Sequence, residues 1–313
     1  MNRSSSRLAA VILFSLLTVA CSLGSSATPS PISLAGWPPN QTYPLIPVPV
    51  SSEYAVGPNR LLVNLLDAST NASVASADHA VQLRLYFLAV DAGNPAVTAD
   101  ATFMTTIPQL PGLYRAMVEI DRAGEWGLEA IQDPGTPNAK VGRFIFDVRQ
   151  TASTAAIGDQ VMAEDTPTAT DAAGISAIST DTNPDPDFYT TSVSGALAAH
   201  EPFVLVFATP AFCKSATCGP TLDVVKSVAA NYKGRLTFIH VEPYELTMTD
   251  GHLQPVLDEQ NNPIPVQSVN DWGLPTEPYV FVVDGSGKLS AKFEGIAAAD
   301  ELTAAFDAVL AGG

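Results

Sequence analysis

The stretch that decides the fold is Phe203-Val-Leu-Val-Phe-Ala-Thr-Pro-Ala-Phe-Cys-Lys-Ser-Ala-Thr-Cys-Gly-Pro-Thr-Leu222. Its first five residues are apolar without a break, as expected of a strand covered on both faces. Cys213 and Cys218 follow, separated by Lys214 to Thr217. Leu222, Val225, Ala229 and Tyr232 then recur at helical spacing, with Pro220 near the helix start. The local order is strand, cysteine loop, helix.

Downstream the pattern continues as α/β. Leu236 to Val241 reads as a second buried strand, and 243–270 as a long loop carrying Pro255, Pro263 and Pro265. Tyr279 to Val283 reads as a third strand. Asp284-Gly-Ser-Gly287 turns it into Leu289 to Phe293. Ala299 to Leu310 closes the chain as an amphipathic helix, and Val193 to Ala199 suggests a short helix ahead of the first strand.

Three stretches over roughly 120 residues resemble the thioredoxin superfamily. Phe207-Ala-Thr-Pro-Ala-Phe-Cys213 is similar to the family's strand end and aromatic–Cys step. Cys218-Gly-Pro220 matches part of the family's Cys-Gly-Pro-Cys. Trp272-Gly-Leu-Pro-Thr-Glu-Pro278, running straight into a strand, looks like the segment whose cis-proline faces the cysteines, with Pro278 in that place. The chain departs from the family by four residues between the cysteines instead of two, and by apolar Val206 where many members bury an acid. Two alignments stay open. Cys213 is the nucleophile and Cys218 the resolving thiol of an enlarged loop, or Cys218 heads a site whose second Cys is Thr221. The retained Phe212-Cys213 step favours the first.

The resemblance implies a thiol-disulfide oxidoreductase with Cys213 and Cys218 as catalytic pair, and a segment at Glu277 and Pro278 that presents backbone to an extended partner chain. Exchange needs a thiolate, and a helix N-terminus favours the anion; Cys218 stands where the helix begins and Lys214 adds a nearby positive charge. Two rivals remain. One is a non-catalytic interaction protein with a structural Cys213–Cys218 disulfide. The other is a copper chaperone, as in exported thioredoxin-like relatives that use a Cys pair plus a distant His; Cys213, Cys218 and His252 are then the ligands. Without copper no cofactor is implied. His240 reads as a wall residue of its strand, and His200 as surface. Glu242 and Glu245 flank Pro243-Tyr244 and read as a solvated strand end.

Upstream, residues 51–150 read as all-β. Val81, Leu83, Leu85 and Phe87 alternate with polar neighbours, as do Tyr114, Ala116, Val118 and Ile120, with turn residues between the runs. Short strands with regular turns suggest an immunoglobulin-like sandwich. His79 in this part reads as a surface loop residue. Residues 151–186 are rich in Ala, Thr, Asp and Pro and read as a linker to a thioredoxin-like domain over 187–313. The expectation is a two-domain chain, an all-β sandwich followed by an α/β domain.

The N-terminus places the protein. Arg3 and Arg7 precede the apolar run Leu8 to Ala20, which is shorter than the ~20 residues a span needs and fits a secretory signal over 1–20. Leu17-Thr18-Val19-Ala20-Cys21 resembles a bacterial lipoprotein signal, which implies that Cys21 is acylated and anchors the chain to the cell membrane. Residues 21–50, rich in Ser and Pro, read as a tether. A formal net charge of -17 argues against nucleic acid, because phosphate binding needs clustered Lys and Arg. The partners expected are exported protein thiols and disulfides, or a redox partner, outside the cytoplasm.

Overall fold

In the computed structural model, the first half of the chain rolls around a single core, with alternate residues buried along strands such as 81–87 and 113–120. The structure describes Trp37, residues 42–105, Ile107 and residues 111–312. Seven strands build the first sheet: β1 (Leu45–Pro49), β2 (Gly57–Asp67), β3 (Val81–Phe87), β4 (Val97–Met104), β5 (Leu113–Ile120), β6 (Gly124–Gln132) and β7 (Lys140–Val148). They pair antiparallel in the order β1-β2-β5-β4-β3-β6-β7. Leu61, Val63, Leu83, Leu85, Tyr114 and Trp126 point to one side and are buried together. The last strand curls back toward the first. A Cβ on Gly142 of β7 would run into the Leu45 carbonyl and the Pro47 ring of β1, so glycine permits the approach that nearly closes the sheet.

The second sheet comes from the C-terminal half. It contains β8 (Phe203–Phe207), β9 (Thr237–Val241), β12 (Tyr279–Val283) and β13 (Leu289–Glu294), in the order β13-β12-β8-β9. Only β8 and β9 run parallel; β12 is antiparallel to both its neighbours. One face, carrying Val204, Val206, Val280 and Val282, packs under α3 (Cys218–Ala229) and α5 (Ala299–Ala311). The other, carrying Phe203, Leu205, Phe207 and Phe281, packs on Val161, Val193 and Trp272. Coverage on both faces is what makes the strand at 203–207 uniformly apolar. The long loop holds a small hairpin, β10 (Leu246–Thr249) with β11 (His252–Pro255), and the short helix α4 (Gln267–Asp271).

Residues 151–186 are packed against this second sheet. Gly158 N–H donates to the Leu289 carbonyl at 2.8 Å and Val161 N–H to the Gly287 carbonyl at 2.9 Å. Helix α1 (Ala172–Ile178) buries Ile175 beside Phe188 and Tyr189. The helix α2 (Val193–Ala198) follows, its first turn capped by the Ser192 hydroxyl accepting from Gly195 N–H at 3.1 Å.

The expected fold, an all-β immunoglobulin-like sandwich followed by an α/β thioredoxin-like domain, is corrected. Among the described residues the structure is richer in β than in α, 35% strand against 18% helix. Its first half is one nearly closed antiparallel sheet and not two facing sheets, because β3 pairs with both β4 and β6, and β4 continues onto β5. The second half is not an α/β thioredoxin-like domain. Its sheet is largely antiparallel, and the described residues from Trp37 onward belong to one compact unit.

Arg60 joins the two sheets. Its Nε and Nη2 donate to the two Glu301 oxygens at 2.7 Å each, and Nη2 also reaches the Ile296 carbonyl at 2.8 Å. Glu301, in the first turn of α5, additionally accepts from Arg115 at 2.9 Å and from Ala298 N–H at 3.2 Å. Leu62, Met104, Leu113 and Ile296 bury the adjoining apolar seam. Burial alone would push the Glu301 carboxyl up, but the hydrogen bond and charge of Arg60 outweigh it and hold the group below its ordinary value. A depressed folded value stabilises the protein above the unfolded value and loses that contribution as pH falls through the folded one. Arg60→Met leaves the buried Glu301 carboxylate with Arg115 and the Ala298 N–H as its remaining donors and should cost about 2 kcal/mol in urea denaturation at pH 7. Glu301→Gln should flatten the loss of stability below about pH 4.5; an unchanged acid limb would show that the pair does not hold the sheets together.

Candidate functional site

The two cysteines bracket a loop that turns between β8 and α3. After β8 the chain bends through Thr209-Pro210, and Phe212 N–H donates to the Thr209 carbonyl at 3.3 Å. Ala216 closes the bend with φ +57°, a left-handed conformation that costs a non-glycine residue roughly 1 kcal/mol. Helix α3 then begins at Cys218 with Thr217 as N-cap, and Thr217 provides no side-chain cap. The first N–H of a helix has no partner within the helix. Here the Cys218 N–H donates to the Cys213 sulfur at 3.2 Å, so Cys213 fills the capping role.

That seat sets the protonation of the pair. Cys213 is half-buried and Cys218 fully buried, and both are free thiols. Hydrogen bonding from the Cys218 thiol lowers Cys213 most; burial opposes it, and Ser215 with the N–H groups of Cys218 and Thr217 adds to it, bringing Cys213 to about 5. The Ser215 hydroxyl lies 3.2 Å from the Cys213 sulfur and 2.6 Å from the Thr217 hydroxyl. Cys218 is pushed well up, first by its bond to Cys213 and then by burial. The two shifts run in opposite directions, which favours the anion on Cys213 and the proton on Cys218.

Glu277 completes the cluster. One of its oxygens and the two sulfurs lie within 4.8 Å of one another. It precedes Pro278 across a cis peptide bond, and Pro278 leads directly into β12. Burial raises the Glu277 carboxyl and the Cys213 charge adds to the rise, while a hydrogen bond from the Tyr244 hydroxyl opposes it. Tyr244 itself is pushed up, chiefly by burial and then by the Glu277 charge. Two thiolates and a carboxylate at this spacing could hold a metal ion.

The sequence expectations separate at this point. Cys213, Cys218, Glu277 and Pro278 come together. His252 sits exposed on β11 and does not belong to the cluster. His240 is a buried wall residue: its Nε2 faces the Ala208 carbonyl at 2.9 Å and its Nδ1 the Tyr189 hydroxyl at 2.9 Å, and burial pulls its basicity down. Glu242 is not a solvated strand end. It is buried and accepts from the Thr180 N–H and hydroxyl at 2.7 and 2.6 Å, whereas Glu245 is exposed. His79 pairs with Asp133 at 2.8 Å, and His200 is exposed. Cys21, the signal at 1–20 and most of the tether lie outside the described residues. Among the described residues no helix is long and apolar enough to cross a membrane. Ser215, Thr217 and Tyr244 escaped the sequence reading. Ser215 and Thr217 lie inside the cysteine loop and were within reach of it; Tyr244 comes from a distant loop that no spacing rule connects to the cysteines.

A comparison with known proteins finds no family model and no curated relative that matches the chain. The assignment of chemistry rests on the site itself. In the reduced protein, alkylation by iodoacetamide should modify Cys213 with a midpoint at about pH 5 and spare Cys218. Ser215→Ala should move that midpoint upward. A midpoint near the ordinary thiol value of about 8.5 would show that the loop does not stabilise the anion.

Proposed function

We propose that the protein exchanges disulfides with another exported protein, acting through Cys213 as nucleophile and Cys218 as resolving thiol. The observation that carries this reading is the asymmetry of the pair: a half-exposed Cys213 sulfur seated on a helix N–H, beside a fully buried Cys218. The Cys213 thiolate attacks one sulfur of the partner's disulfide, and the partner's other sulfur leaves as a thiolate. Cys218 then gives up its proton to that leaving thiolate or to water and attacks Cys213. The mixed disulfide breaks, and the partner's second sulfur is released. The partner gains two electrons and the Cys213–Cys218 pair loses two. The lipoprotein-like signal with Cys21 supports a site of action outside the cytoplasm, at the membrane surface, where disulfides persist.

The donors around Cys213 stabilise the reduced form, because a disulfide sulfur accepts hydrogen bonds far less well than a thiolate. The pair should therefore be comparatively oxidising, so that the same steps run in reverse, from its disulfide to a partner dithiol, are the favoured direction. A second reading is supported by the spacing of Cys213, Cys218 and Glu277. With a carboxylate in place of His252, the donor set suits Zn(II) better than copper, since zinc accepts thiolate and carboxylate together. Redox titration of the soluble portion against glutathione should give a reduction potential between about -120 and -270 mV. A value below about -300 mV would mark an inert structural bridge and overturn the exchange reading. Stoichiometric zinc retained by the reduced protein through dialysis would favour the metal reading instead.

A further inference from the structure

Two acidic side chains, Cys213 and Glu277, stand together on the face that presents the reacting sulfur. Cys213 and Glu277 are each partly exposed there, while Cys218 and Pro278 are buried behind them. The Tyr244 hydroxyl acts on the Glu277 carboxyl from the loop side and opposes its upward shift. Lys214 of the cysteine loop is exposed, and its positive charge acts on Glu277 and offsets part of the negative field there. A cation arriving within about 5 Å of both anions is attracted by each, and a carboxylate is repelled by each. At an exposed rim in low salt, such an arrangement is worth roughly a tenfold change in encounter-limited rate, and salt erodes it.

We propose that the partner of this site carries Lys or Arg beside its exchanging disulfide, and that Glu277 is the residue that selects it. The inference rests on the exchange reading above and adds the partner's chemistry to it. The protein's overall acidity would favour any cationic partner from a distance; the placement of Glu277 against the reacting sulfur makes the selection local.

The test uses three peptides, each cyclised by one disulfide and identical except for Lys, Gln or Glu on either side of one cysteine. Rate constants with the reduced protein are taken at pH 7.5 and low salt. Each is divided by the rate with a small neutral thiol, which removes the effect of the flanking charge on the disulfide itself. The Lys peptide should react about tenfold faster than the Glu peptide. Glu277→Gln should shrink that ratio to about twofold, and Glu277→Asp, which keeps the charge, should retain most of it. Glu119→Gln removes the same charge from an exposed position on β5 and should leave the ratio unchanged. An undiminished ratio in Glu277→Gln overturns the proposal, as does an equal loss in Glu119→Gln, which would assign the effect to bulk charge. Exchange with the Gln peptide but no preference among the three defeats the selection alone. No exchange with the Gln peptide in the unmodified protein defeats the exchange reading, and the selection with it.

Discussion

The hydrogen bond from the first N–H of α3 to the Cys213 sulfur is the contact on which the site depends. A helix start needs an acceptor, and Thr217 does not supply one through its side chain. A sulfur carrying negative charge is the better acceptor, so the helix and the thiolate stabilise each other. The rest of the local architecture keeps that geometry. β8 delivers Cys213 from one end, the buried first turn of α3 fixes Cys218, and the loop between them supplies the Ser215 hydroxyl. The Cys218 thiol also bonds to the Cys213 sulfur, and that second contact lowers Cys213 while it raises Cys218.

The two sheets meet through an ion pair of a different kind. Arg60 and Glu301 are largely withdrawn from water, their side chains 9% and 11% exposed, and every charged oxygen in the contact has a donor. Such a pair adds little over a well-packed apolar contact, but it cannot be broken on one side cheaply. It ties the first turn of α5 to β2, and α5 in turn packs with α3 under the face of the second sheet. The nearly closed sheet is thereby coupled to the layer from which the cysteine helix projects.

Much of this was legible in the sequence, and the part that was not has a common cause. The strands at 81–87 and 113–120 follow from alternation, and those at 203–207 and 279–283 from unbroken apolar runs, because those patterns report local burial. How the strands pair is set by contacts between distant residues. A rolled single sheet and a two-sheet sandwich bury alternate residues alike, so the alternation alone did not distinguish them, and the near closure depended on Gly142 passing Leu45. Likewise, an apolar run such as Tyr279 to Val283 reports coverage on two faces, not whether its neighbours run parallel. The segment 151–186 reads as a linker by composition, yet Gly158 and Val161 bond to the turn and strand at 287–289. At the site, the two cysteines and Glu277 were visible by residue type. The acceptor role of Cys213, the burial of Glu242 and the approach of Tyr244 required the fold.

Exchange at this site requires Cys213 to be the sulfur that attacks. Trapping the intermediate measures this directly. Incubated with a peptide disulfide and mapped by mass spectrometry, Cys218→Ala should accumulate a stable mixed disulfide on Cys213, while Cys213→Ala should remain unmodified under the same conditions. Equal trapping on Cys218 in Cys213→Ala, or no adduct on Cys213 in Cys218→Ala, would contradict it.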